Sequence, residues 1–189
     1  MNFVLIGAGG HARVVADIIA LSGGQVVAYS DTMQAEWLSA KRYESDAEAA
    51  DSHPDAALAL GFGGVSPATL ARRRATLNAD WADKRMWPNL VHPDASVART
   101  SELGRAVQIM AGARIQPGAK IGDGAIVNTG AIVEHETTVG DGCHIAPGAI
   151  ILGDCIIGEA TMIGAGAVVL PGTSIASAFL LPALTRYPI

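Results

Sequence analysis

Residues 131–157 read AIVEHETTVGDGCHIAPGAIILGDCII, and within them Val133, Val139, Ile145, Ile151 and Ile157 recur at a fixed step of six. The register extends both ways without a break, so that every sixth residue from Val91 to Ile175 is Val, Leu or Ile. Four places after each of the first fourteen comes a small or short β-branched residue, among them Ala95, Ala113, Ala131, Thr137, Cys143 and Cys155. A period of six matches neither a helix at 3.6 nor a free alternating strand at 2. It matches a solenoid in which each hexad gives one short strand and three hexads close a triangular coil of about 18 residues. The large aliphatic fills the inside of a flat face and the small residue fits the corner. Val91 to Ile175 then makes about five coils.

Composition agrees with this geometry. Glycine is 22 of 189 residues, against a usual share of roughly 7%, and supplies the permissive φ that tight corners need. The nine aromatics avoid the whole stretch from Pro88 to Ala178, because such a coil has no room for them. The net charge of −5 carries no dense basic stripe, which argues against nucleic acid. No run of 18 apolar residues is present, and the chain enters Phe3-Val4-Leu5-Ile6 without a charged leader. We therefore expect no membrane span, no signal peptide and a cytoplasmic location. Cys143 and Cys155 have neither disulfide-framework nor metal spacing; both fall in the small-residue register and read as inert packing thiols.

Residues 1–88 read as a small Rossmann-like α/β domain. Phe3–Ile6 is a buried strand, Gly7–His11 a glycine-rich turn, and Val14, Val15, Ile18, Ile19 and Leu21 an apolar helix face. Gln25–Tyr29 and Ala56–Leu60 read as further strands. Ser66-Pro67 opens a helix whose Arg72, Arg73 and Arg74 favour a solvated face over a phosphate clamp. Gly7–Ala12 spells G-x-G-x-x-A, with Asp31 after the second strand as a candidate ribose ligand. A mononucleotide-type ligand suits a domain of this size; the competing reading is a turn kept glycine-rich only for strand–helix packing. The domain is placed to cap the N-terminal end of the solenoid, which occupies 89–176. Residues 177–189 read as an atypical short cap, because the small-residue register fails at Phe179.

Leu5-Ile6-Gly7-Ala8-Gly9-Gly10-His11-Ala12, Leu60-Gly61, Asn89-Leu90-Val91-His92-Pro93, Val133-Glu134-His135-Glu136 and Cys143-His144-Ile145-Ala146-Pro147-Gly148-Ala149 together resemble one family. It is the NeuD/PglD-like sugar acetyltransferases, within the hexapeptide-repeat acyltransferases. The resemblance implies a left-handed parallel β-helix, against the right-handed preference of parallel crossovers. It also implies a homotrimer with acetyl-CoA between neighbouring helices, and a nucleotide-linked amino sugar or sialic-acid-like sugar held partly by the N-terminal domain.

Acetyl transfer from a thioester needs a base, an oxyanion donor and close alignment. His135 is outside both inward registers, so its imidazole faces solvent or a neighbour, and the resemblance makes it the general base. Glu136 matches its acidic partner, with Glu134 as the competing candidate. By the same resemblance His144 contacts acetyl-CoA near the thioester, the Gly153 amide is the oxyanion donor, and the Ala165 amide lies further along the same groove. Gly9, Gly10, His11, Asp31 and Gly61 match the sugar-nucleotide contacts. No metal is implied. The chain lacks the family's last coil with its G-x-P-A loop. Two other readings stay open: a non-catalytic nucleotide-binding scaffold, and a zinc hydratase of the γ-carbonic-anhydrase kind, whose close histidine pair is not matched by His135 and His144, nine residues apart.

Overall fold

The computed structural model describes residues 1–188. The N-terminal domain contains β1 (Asn2–Ile6), α1 (Gly10–Leu21), β2 (Gln25–Ser30), β3 (Lys41–Tyr43), α2 (Asp46–Asp51), β4 (Ala57–Leu60) and α3 (Pro67–Leu77). Its four strands pair in parallel in the order β3-β2-β1-β4. The period-2 alternation of β1 sorts its side chains to two layers. Phe3 and Leu5 meet Ala12, Val15, Ile18 and Ile19 of α1, while Val4 and Ile6 meet Ala49 and Ala50 of α2 and Leu77 of α3. The strand β3 and the helix α2 were not anticipated from the sequence. Both are short, and α2 is held by the Ser45 N-cap rather than by a long apolar face.

From Leu90–Val91 onward the chain is a parallel β-solenoid of two-residue strands. Each strand pairs with the one 18 residues later, as Ile126 with His144 and Ile132 with Ile150. Three faces carry six, six and five strands, giving five complete coils and two strands of a sixth. We name them the first face (through His144–Ile145), the second (through Ile132–Val133) and the third (through Thr138–Val139). The interior is the aliphatic register with the small corner residues, buried together as one cluster. Polar corner residues are accommodated because each finds an acceptor one coil on. Thr137 Oγ1 donates to the Leu152 carbonyl at 2.8 Å and Thr161 Oγ1 to that of Ala176 at 3.0 Å. The Cys143 and Cys155 thiols donate likewise to Gly158 and Leu170, each at 3.0 Å.

Two expectations need correction. The stretch from 177 onward is not a separate cap. Strands continue at Leu180–Leu181 and Arg186–Tyr187, with Leu181 and Tyr187 in the six-residue register; Ile189 lies outside the described residues. Phe179 occupies a corner position in the last described coil, where its ring meets that of Tyr187 at 5.8 Å. Both rings are partly buried against the solenoid core, so this corner takes an aromatic pair. Nor does the N-terminal domain cap the solenoid end. It lies along the first face, where Leu90, Met110 and Ile126 join the α1 core, while Val91, Val97 and Leu103 of the first coil stay partly exposed. On the second face Ile132, Ile150 and Val168 form an outward, half-buried aliphatic ladder between Arg114 and Arg186.

Candidate active site

His135 sits at the corner that follows the second face, exposed as its place in the hexad requires. Its ring lies over Gly153, one coil on, so closely that a Cβ at 153 would come within 2.6 Å of His135 Cε1 and Nε2. Only glycine leaves the imidazole this position. Glu134, His135, Leu152, Gly153, Asp154, Pro171 and Gly172 line a cavity of about 500 Å³. Among the described residues neither ring nitrogen of His135 has a hydrogen-bond partner, and the Gly153 N–H has no acceptor, although the neighbouring Asp154 N–H donates to the His135 carbonyl at 3.0 Å. Glu134 shares the cavity. Glu136, at φ +57°, instead lays its carboxylate over Gly118 on the preceding coil. No hydrogen bond joins either glutamate to His135 among the described residues.

His144 and Ala165 lie elsewhere in the same chain. Ala165 is exposed at the corner that follows the first face; the expectation that it extends the His135 groove fails within one chain, because the two corners are separated by a whole face. His144 is on the first face, 6% exposed, under the N-terminal domain. Asn128 Oδ1 accepts from the Thr129 N–H at 2.8 Å, which turns its Nδ2 toward His144 Nε2 at 2.9 Å. His144 Nδ1 then carries the proton and donates to the Gly64 carbonyl at 2.7 Å. Burial lowers its pKa, with Arg73 adding to the effect against the Gly64 bond. Both nitrogens of this neutral ring are therefore committed to docking.

A second cavity, of about 430 Å³, opens in the N-terminal domain, lined by Gly7, Ala8, Gly9, Ser30, Asp31, Phe62 and Arg72 among others. Gly9 caps α1 with no side-chain bond, leaving the helix's first amides free for an anion. Neither Gly9 nor Gly10 has an atom within 4 Å of a built Cβ, so the approach to the turn is open. Asp31 accepts from the Ala8 N–H at 2.8 Å and the Met33 N–H at 3.1 Å. Burial works to raise its pKa, but these donors outweigh it and hold the carboxyl below its ordinary value. Gly61 faces no cavity: a Cβ there would meet the Gly7 carbonyl, so this glycine serves close packing of β4 on the turn. His11 points away from the cavity, toward the solenoid, where its Nε2 lies 2.8 Å from Gln108 Oε1.

The reading of Arg72–Arg74 as one solvated face is wrong. Consecutive helical residues are about 100° apart, so three arginines in a row cannot share a face. That geometry is the signal which could have separated them. Arg72 stacks over Phe62 at 4.8 Å beside the second cavity. Arg73 is fully buried between the domains. Arg74 reaches across to Glu159, at 2.7 Å. Gln108, Asn128 and Arg73 are site residues that no motif in the sequence marks. Among the described residues no group of three or more His, Cys, Asp or Glu side chains is arranged to hold a metal, and no helix is long and apolar enough to cross a membrane.

Comparison with known proteins covers both parts of the chain. Residues 2–63 match the PglD N-terminal domain, and residues 100–135 and 136–171 match bacterial transferase hexapeptide repeats. No curated protein sequence matches significantly. Among solved structures, the acetyltransferase domain of PglB from Neisseria gonorrhoeae is 31% identical, with 96% of this chain and 88% of that one aligned at a TM-score of 0.84. The same domain in complex with acetyl coenzyme A is matched at 29% identity over 98% and 91%, with a TM-score of 0.83. PerB from Caulobacter crescentus, in complex with CoA and GDP-perosamine, is 31% identical over 97% and 86%, with a TM-score of 0.85. With both halves of the architecture matched along nearly its whole length, the chain belongs to the NeuD/PglD-like sugar acetyltransferases of the hexapeptide-repeat class.

Proposed function

We propose that the chain transfers the acetyl group of acetyl-CoA to the amino group of a nucleotide-linked amino sugar, a precursor of a surface glycan. The observation that carries this reading is the pairing of an exposed, unpartnered His135 with the unpartnered Gly153 N–H on one cavity wall. His135 accepts the proton that the acceptor amine sheds as its nitrogen bonds to the thioester carbonyl carbon. The Gly153 N–H donates to the carbonyl oxygen as negative charge develops there. When the C–S bond breaks, the imidazolium returns its proton to the departing thiolate. Glu134, which shares the cavity, and Glu136, once its carboxylate leaves Gly118, are the acidic groups that would favour that imidazolium. The PerB relative, in complex with GDP-perosamine, supports a nucleotide-linked sugar as acceptor. The PglB complex supports acetyl-CoA as donor.

In this reading the Gly9 and Gly10 amides at the head of α1 take the diphosphate and Asp31 the ribose hydroxyls. The aliphatic ladder of the second face supports a homotrimer, since a stripe of this kind is buried when helices stand side by side. A neighbouring copy then brings its Ala165 corner toward the His135 cavity. A direct bond from His144 to the donor requires it to release Asn128 or Gly64. Use of acetyl-CoA as donor supports a cytoplasmic location. The test is a screen of nucleotide-linked amino sugars with acetyl-CoA, following free CoA thiol and the mass of the sugar product. An acetylated sugar nucleotide is expected; no acetylation of any of them overturns the proposal.

A further inference from the structure

Of the three arginines that α3 sends in three directions, one is buried where an apolar side chain would serve the fold at lower cost. Arg73 is fully buried between the N-terminal domain and the solenoid and has no carboxylate partner among the described residues. Burying a cation without an anion is costly, and exchanging such groups for well-packed apolar ones often stabilises. Its N–H groups go instead to three neutral acceptors. Nε donates to the Gly124 carbonyl at a solenoid corner at 3.0 Å, Nη1 to the Phe62 carbonyl in the N-terminal domain, and Nη2 to Gln108 Oε1 on the first face at 3.0 Å. Gln108 in turn donates through Nε2 to the Leu60 carbonyl at 2.7 Å. A guanidinium is a rigid planar fork, so acceptors on both domains at once define a single register between them, where an apolar contact could slide. Burial lowers the Arg73 pKa to about 9, which leaves the group charged and all its donors in place at neutral pH. Burial, opposed by the Gln108 bond and helped by the Arg73 and His144 charges, pushes the His11 pKa down to about 4, so near neutrality this contact carries one positive charge.

The solenoid is shaped to receive α3. A Cβ at Gly124 would come within 2.7 Å of Leu77 Cδ1, and one at Gly142, a coil later, within 2.7 Å of Arg74 Cγ. The same corner on the coils before and after is Ala106 and Ala160, both also at positive φ. Glycine at 124 and 142 therefore makes room for the helix, not only for the turn. Arg105 Nη2 donates to Oδ1 of Asn78, the C-cap of α3, at 2.7 Å. Two walls of the second cavity hang on this helix. Phe62, whose carbonyl Arg73 holds, and Arg72, its neighbour in the chain, both line that cavity. The Phe62 ring packs on the glycine-rich turn, where a Cβ on Gly7 would lie 3.2 Å from Phe62 Cδ1. His135 belongs to the solenoid. In a single chain and in a trimer alike, the span from the second cavity to the base passes through this contact.

We propose that Arg73 is a positioning residue for acetyl transfer: by tying Phe62, Gly124 and Gln108 to one another it fixes the second cavity against the solenoid, at the separation where the amine of a bound nucleotide amino sugar meets the acetyl group. This rests on the reading that the second cavity holds the acceptor, and the two are tested separately. The first measurement needs no substrate. Crystal structures of the intact wild-type chain and of Arg73→Met, superposed on the solenoid, are expected to differ at Gly9 by about 1 Å, a misplacement that costs on the order of a hundredfold in rate. Coincident domains overturn the lock whatever the enzyme turns over. The second measurement uses the nucleotide amino sugar that the screen identifies. In Arg73→Met, kcat is expected to fall on the order of a hundredfold, while calorimetry finds one full site per chain with unchanged Kd for that sugar nucleotide and for acetyl-CoA, each titrated alone. A merely structural role would lower kcat in step with the number of sites. That outcome, or an unchanged kcat, overturns the positioning role. Arg73→Lys keeps the charge and loses the fork, so it is expected to do no better than the methionine variant; full rescue by lysine overturns the proposal as well. If neither variant at 73 folds, Gln108→Met removes one of the three acceptors and is expected to show the same split, a lower kcat on full sites. Wild-type kcat in that variant refutes the proposal.

Discussion

Replacing Gly153 with alanine exchanges a hydrogen for a methyl group at the point where His135 is most tightly placed. The new Cβ would lie 2.6 Å from His135 Cε1 and Nε2, where ordinary carbon contacts are about 3.5–4.0 Å, so the ring must retreat by roughly 1 Å. The backbone at 153 is outside the left-handed region and accepts a Cβ without strain. The ring is exposed and free to swing. The stability change is therefore expected within about 0.5 kcal/mol, a Tm shift of about 2 °C or less. A base displaced by about 1 Å loses on the order of a hundredfold in rate, or about 2.7 kcal/mol in the activation barrier. Steady-state release of CoA thiol at saturating acetyl-CoA and acceptor measures kcat, and thermal unfolding measures the fold. Because the loss acts through His135, adding the substitution to a His135→Asn background is expected to have little further effect. A Gly153→Ala enzyme within about threefold of wild-type kcat would refute the placement of the base over this glycine.

Other expectations follow from the buried groups and the second face. His11 is held at about 4 in the fold, against about 6.5 in the unfolded chain, so between these values the unfolded state binds more protons. Stability is then lost as pH falls from about 6.5 to about 4, roughly 3 kcal/mol from this residue alone. Urea unfolding over a pH series checks this, and His11→Gln should flatten the slope; an unchanged slope contradicts it. Cys143 and Cys155 are buried, with the Cys143 thiol pushed up to about 12 by burial. A colorimetric thiol reagent should leave the native chain untouched and find two thiols in denaturant, and a reactive native thiol would show the packing to be wrong. Ile150→Glu places a charge in the middle of the aliphatic ladder and should lower the mass measured by light scattering to that of a single chain. An unchanged assembly would remove the second face from the interface.

The solenoid was legible because its constraint is steric and repeats at every hexad: a residue of the wrong size is excluded coil after coil. The same rule misled at Phe179, whose ring is taken up by pairing with Tyr187 while the backbone path continues. His135 was legible as a histidine out of register. Arg73 was not, because its burial depends on where α3 settles against the solenoid, and a run of three arginines looks solvated until each is given its own helical direction. Gln108 occupies an outward position on a face that pattern alone cannot distinguish from the other two; only the docked domain makes it an interior residue. The separation of His135 from Ala165 likewise follows from counting faces, not from motif matching. The exposed corners of one chain thus carry His135 and Ala165 at opposite edges of the second face.

The central claim is that His135 is the base for acetyl transfer to a nucleotide amino sugar. Its most direct test is kcat of His135→Asn beside wild type, with acetyl-CoA and the sugar nucleotide that the screen identifies, and with acetyl-CoA binding measured in both. Retained binding and a kcat lowered by about 10²–10⁴-fold are expected; a variant that binds acetyl-CoA and turns over at the wild-type rate would contradict the claim.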